Sequence, residues 1–204
     1  WYRHGHTGAL LAIAACVGLA VLTRPVEGLL LLVPLGWGLG AGAQRTRAWQ
    51  GLRARPAVLL QGALIAFACV LPQLLYWKAT TGQWLYFSYD GEGFNFGDPH
   101  VLDGLFSYRK GWLVYSPLVA LGFVGIALAV LRRPRPVWLG GVLLYLVVAL
   151  YVVFSWHQWW YGGSFGCRAL VGALPLMALP MAYLFQVISA RGRLATAALA
   201  LMVL

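Results

Sequence analysis

The chain has 204 residues, of which 61% are hydrophobic and only 10% charged, with a formal net charge of +10. Apolar runs close to bilayer-crossing length recur from end to end, which excludes a water-soluble core. Stretches such as "TGALLAIAACVGLAVLT" and "VWLGGVLLYLVVALYVVF" have no polar face to show to water. The positive charge does not mark a nucleic-acid surface, because the arginines are dispersed over short turns and no basic helix exists.

The composition predicts an all-α, polytopic transmembrane bundle in a single membrane domain spanning 1–204. Six full spans are expected at about 7 to 23, 26 to 43, 57 to 77, 112 to 131, 137 to 154 and 169 to 188. A truncated seventh begins near 194, where "LATAALALMVL" stops after about half the length that crosses a bilayer. With Trp1 at the start, this leads to the expectation that the chain is the C-terminal portion of a longer protein. The first two spans are joined by "TRPVEG" and read as a hairpin. Pro72, Pro175 and Pro180 fall inside predicted spans and predict kinks, since neighbouring helices can satisfy the backbone groups that proline frees.

Orientation follows from the charges. Arg3, then Arg45, Arg47, Arg53 and Arg55, then Arg132, Arg133 and Arg135, then Arg191 and Arg193 occupy alternate connections, which the positive-inside rule assigns to the cytoplasm. The opposite side takes the "TRPVEG" turn, a long connection at 78–111 and "SWHQWWYGGSFGCRAL" at 155–170. It carries every acid of the chain, Glu27, Asp90, Glu92, Asp98 and Asp103, together with Arg24, Lys78, Arg109, Lys110 and Arg168.

Chemistry is therefore expected on the outer face. The connection "KATTGQWLYFSYDGEGFNFGDPHVLDGLFSYRKG" is longer than a tie between two helices requires, and it alternates rings with acids. Its rings suit the headgroup level of a bilayer, and they also suit the apolar faces of sugars. Two readings of it stand: an anchored interfacial loop, or an acceptor-binding loop with Asp90 and Glu92 aimed inward by the glycines at 91, 93 and 97. Arg24 either reaches the headgroups or pairs locally with Glu27, or it meets a phosphate with its guanidinium fork. In the 155–170 stretch, Trp156, Trp159 and Trp160 either form an interfacial belt or line a sugar or prenyl groove. His157 hydrogen-bonds within that belt or relays a proton, and Arg168 at a helix start suits an anion. Cys16, Cys69 and Cys167 supply neither a disulfide framework nor zinc spacing, and His4 and His6 have no third ligand nearby, so no metal or other cofactor is expected.

The run "GLAVLTRPVEGLLLLVPL" resembles the helix hairpin of multi-span glycosyltransferases of the GT-C type, the group of protein O-mannosyltransferases and lipid A aminoarabinose transferases. "YWKATTGQWLYFSYDGEGFNF", "PHVLDGLFSYRKGWLVYSPL" and "WHQWWYGGSFGCRALVGALPLMALPMA" are similar to a bacterial branch of the same group, so the resemblance covers nearly the whole chain. It implies an enzyme of the bacterial inner membrane that passes a sugar from a polyprenyl-phosphate donor to an acceptor on the extracytoplasmic side. Such enzymes hold their catalytic carboxylate in the first external loop, a region expected to precede Trp1. Within this picture Arg24, Arg168, Arg109 and Lys110 are the expected contacts to the donor phosphate, and Asp90, Glu92, His157, Trp159 and Trp160 those to sugar or acceptor. The alternative is a transporter or flippase of a lipid-linked sugar. Charges kept at helix ends and the lack of two matching halves weigh against it.

Overall fold

A computed structural model describes residues 6–37, 46, 50–87, 89 and 91–190. Among these the chain is all-helical, without strands. Helix α1 (Thr7–Thr23) ends at Arg24, whose extended backbone leads directly into a 3-10 segment, Pro25–Leu31, and then α2 (Leu32–Gly36). Most of "TRPVEG" is thus already helical, and Pro25 opens the new helix where its missing N–H costs nothing. There follow α3 (Pro56–Thr81), α4 (Val101–Phe106), α5 (Trp112–Tyr115), α6 (Leu118–Leu131), α7 (Leu139–Phe154), a 3-10 segment at Arg168–Ala173, and α8 (Leu174–Ser189).

Two helical stretches, Pro56–Thr81 and Arg168–Ser189, are long and apolar enough to cross a membrane. Thr7–Thr23, Pro25–Gly36, Leu118–Leu131 and Leu139–Phe154 are apolar but shorter. The expected span 112 to 131 is divided: Ser116 stands at φ −134°, ψ 65°, outside the helical region, because the ring of Pro117 disfavours α geometry in the residue before it. At a rise of about 1.5 Å per residue, the 14 residues of α6 extend roughly 21 Å, short of a hydrocarbon layer of about 30 Å. The expected span 26 to 43 is helical as far as Gly36, and the expected seventh span lies outside the described residues. Pro72 and Pro180 are inside helices as the sequence predicts, whereas Pro175 occupies the first turn of α8, a position that calls for no kink.

The register of the contacts sets helix directions. Gly62 lies against Ala14 and Gly18 against Ala66, so α1 and α3 run parallel; a Cβ at Gly18 would come within 2.8 Å of the Ala66 Cα. In the same way Gly122 meets Met177 and Gly125 meets the Pro180 carbonyl, so α6 and α8 run parallel. Gly36 against Gly140, at the far end of α2 from Glu27 and its neighbour Tyr145, makes α2 and α7 antiparallel. Chain direction therefore reverses between successive long apolar segments. Small residues at each crossing let backbones approach closely, which is how helices associate where no water drives them together.

The core is built by α6, α7 and α8 around Val142, Leu146, Phe154, Leu170 and Met177, with Trp112 of α5 sealing one end. Helix α3 is different: only 6% of its apolar stretch is buried, and Leu59, Leu60, Leu64, Phe67 and Leu75 face outward. A surface so apolar is suited to lipid rather than water. These directions bring the end of α1, the end of α3, the start of α6, the end of α7 and the start of α8 to one end of the bundle. Arg53, Arg55, Arg132, Arg133 and Arg135 fall at the other.

Candidate functional site

The connection after α7 turns sharply enough to need special backbone. Tyr161 has φ 52°, and Gly162 and Gly166 follow at 63° and 54°. Glycine takes these values freely, but a tyrosine there is strained by about 1–3 kcal/mol and stays only where its surroundings hold it. They do: the Tyr161 N–H donates to the Gln158 carbonyl and its hydroxyl donates to the Val153 carbonyl, each at 2.7 Å. Burial pushes the Tyr161 phenol well above its ordinary range, so it remains a donor at any working pH.

The 78–111 connection clasps this turn. The His157 N–H donates to Gly93 O at 2.8 Å, Asn95 N–H to Ser155 O at 2.6 Å, and His100 N–H to Phe154 O at 3.0 Å, with Phe94 bridged to Trp156. The rings of Phe87, Tyr89 and Phe94 pack edgewise on Trp156, their centroids 6.3, 5.6 and 4.9 Å away. Trp156 is 9% exposed and enclosed on these sides. It is the hub that joins the two connections and does not line an open groove, a correction to one of the two sequence readings. Phe106, Tyr108 and Phe165 do face outward, as do Trp84 and Leu85.

The predicted site residues fall into distinct arrangements. Arg24 Nη1 donates to the Arg168 carbonyl at 2.7 Å, joining the first hairpin to the start of the last described helix. The Arg168 guanidinium is exposed, and among the described residues it has no hydrogen-bond or ion-pair partner. Lys110 Nζ donates to the Gly162 carbonyl and lies 3.4 Å from Ser164 Oγ; its charge also acts on the Cys167 thiol. Arg109 stacks on Trp160, the guanidinium carbon 3.8 Å from the ring centre, and Trp160 meets Trp159 edge-on at 5.8 Å. The four cations thus gather around one turn, each keeping donors to spare.

The acids behave otherwise. Glu92 does not project freely: it accepts a hydrogen bond from Gln158 Nε2 at 2.7 Å and ties the two connections together. Asp90 lies outside the described residues. His157 contributes its backbone to the clasp while its side chain is exposed. Glu27, which the sequence offered as a local partner of Arg24, is buried beside it, without an ion pair between the two. Sequence reasoning passed over two participants. His100 stacks on Trp159 at 5.9 Å and lies 3.4 Å from Asp103 Oδ2, a pairing that i, i+3 spacing at a helix start announces. Gln158 had no signal of its own. Among the described residues no group of three His, Cys, Asp or Glu side chains comes together to hold a metal.

Cys167 is 7% exposed, and burial pushes its thiol from an ordinary 9.0 up to about 11. The neutral thiol is compatible with the fold below pH 9, and that compatibility is lost as the pH rises through about 11. Because the thiolate is the nucleophile, Cys167 in the folded protein is expected to react with a water-soluble maleimide at pH 7.5 at least tenfold more slowly than after unfolding. Equal rates in the two states would remove Cys167 from the sealed floor of the turn.

Comparison of the chain with protein-family models, with curated proteins and with solved structures yields no match.

Proposed function

We propose that the chain forms a multi-pass membrane domain of a GT-C type glycosyltransferase in a bacterial inner membrane, acting on its extracytoplasmic side. Its donor is a polyprenyl-phosphate sugar and its acceptor a hydroxyl compound. The observation that carries this reading is the gathering of Arg24, Arg168, Lys110 and Arg109 around one aromatic turn, at the end of the bundle away from the basic connections. Six crossings fit the alternating directions of the described helices, and the positive-inside rule turns the cation cluster outward.

The chemistry follows from that cluster. Transfer breaks the bond between the sugar's anomeric carbon and the phosphate oxygen while the acceptor oxygen bonds to that carbon. Negative charge builds on the departing phosphate. Guanidinium groups at the headgroup level stabilise it by charge-assisted hydrogen bonds. Arg24 and Arg168 present forks that match phosphate oxygens, Lys110 adds a point charge, and the exposed rings nearby offer stacking faces to sugar or prenyl chain. In this reading Glu92 acts through the shape of the turn, and a carboxylate outside this cluster takes the acceptor's proton.

The direct test reconstitutes the protein in liposomes with a panel of polyprenyl-phosphate sugars and follows release of the lipid phosphate. Cleavage coupled to glycosylation of an added acceptor is the expected result. Movement of the intact lipid between leaflets without cleavage would establish the transport alternative instead. Topology gives a separate check: a cysteine at Gln83 is expected to react with an impermeant reagent from the extracytoplasmic side, and one at Arg133 only after the membrane is opened. The reverse pattern would overturn the proposal.

A further inference from the structure

Behind the two arginines lies a carboxylate for which folding alone gives no reason. Glu27 is 8% exposed, the one charged side chain that is buried among the described residues. Its N–H donates to the Arg24 carbonyl at 2.9 Å and closes the turn after α1. Its carboxylate, among the described residues, accepts no hydrogen bond and makes no ion pair. It rests on Gly172 so closely that a Cβ built there would overlap the carboxylate. The opposite charge it faces is Arg24, and from α7 Tyr145 lies within reach of its field. Arg24 in turn is held to the Arg168 carbonyl across 144 residues of chain. Two 3-10 segments, Pro25–Leu31 and Arg168–Ala173, are therefore locked at one place by a carboxylate on a glycine and a guanidinium on a carbonyl.

A buried carboxylate without hydrogen bonds weakens a fold, and an uncharged side chain of the same shape fills the space at lower cost. Its benefit must lie elsewhere. In a poorly screened setting a fixed negative charge acts strongly on the neighbouring guanidinium, narrowing the orientations open to Arg24 before any ligand arrives.

We propose that Glu27 is a positioning residue: its charge orients the Arg24 guanidinium, and its seat on Gly172 sets the spacing of the Arg24 and Arg168 turns around a single lipid phosphate. This rests on the reading that those arginines hold the donor phosphate. Arg24 uses one donor on the Arg168 carbonyl and keeps the others for the ligand, while Glu27 faces it from the buried side.

The test compares the wild-type protein with Glu27→Gln, which keeps shape and loses charge, and Glu27→Asp, which keeps charge. Binding of a polyprenyl phosphate in nanodiscs and the thermal midpoint are both measured. Glu27→Gln is expected to bind at least tenfold more weakly while its midpoint stays level or rises by a few degrees, and Glu27→Asp is expected to recover part of the binding. A midpoint that falls together with binding, with no recovery by Glu27→Asp, would make Glu27 a structural residue and overturn the inference. Equal binding by wild type and Glu27→Gln would overturn it as well, leaving the phosphate reading in place. A wild-type protein that binds no polyprenyl phosphate would overturn that reading and the inference together.

Discussion

Replacing Arg168 with alanine is expected to lower turnover of a polyprenyl-phosphate sugar by about a hundredfold or more, the scale on which one fixed donor to a developing anion acts. The folded yield should change little, because the guanidinium is exposed and, among the described residues, carries no hydrogen bond or ion pair that folding would miss. Arg24→Ala should cost turnover on the same scale but also some stability, since it releases the bond from Nη1 to the Arg168 carbonyl. Lysine at position 168 should restore part of the loss and not all of it, because an ammonium gives charge without the paired geometry of the fork. Turnover, detergent-extracted yield and thermal midpoint measured side by side check this. Wild-type activity in both alanine variants would end the phosphate role.

Phe154→Ala is expected to give the largest loss of stability, about 3–5 kcal/mol, with a drop in thermal midpoint that follows from it. Phe154 is 0% exposed and ends α7 at the point where both connections meet. Its carbonyl accepts the His100 N–H at 3.0 Å, and its ring fills the space over Gly104, where any Cβ would overlap it. Removing the ring undermines α4 and with it the clasp that holds the cation-bearing turn. Limited proteolysis should accordingly cut within 78–111 faster in the variant than in wild type. Gly104→Ala alone should also destabilise, by crowding. Combined with Phe154→Ala it should cost less than the sum, since each change relieves the strain or the void of the other. Strict additivity would show that the two positions do not touch.

Much of the architecture is written in short-range properties. The largely apolar run of 17 residues from Thr7 to Thr23 makes a helix of those bounds, and the expected helices at 57 to 77, 137 to 154 and 169 to 188 are present to within about a turn. Hydropathy failed at Ser116 and Pro117 because it weighs side chains and ignores the backbone conflict that splits the run into α5 and α6. The cations and rings of the site were visible as residue types. Their arrangement was not: Trp156 as an enclosed hub, Glu92 bound to Gln158 and Arg109 lying on Trp160 all depend on contacts between distant stretches.

By itself the amino-acid order determined an apolar helical chain with its arginine-rich turns and its aromatic, acidic connections in alternation, since hydropathy and charge add up residue by residue along a run. Only the tertiary structure decided which groups stay available and which are consumed. Whether Arg168 stands free, Lys110 caps a carbonyl or Glu27 is shut away beside Gly172 depends on helix register and the small residues at each crossing. No local sum contains that register, because a shift of one residue in how two helices meet sends every side chain on the contacting faces to a different partner.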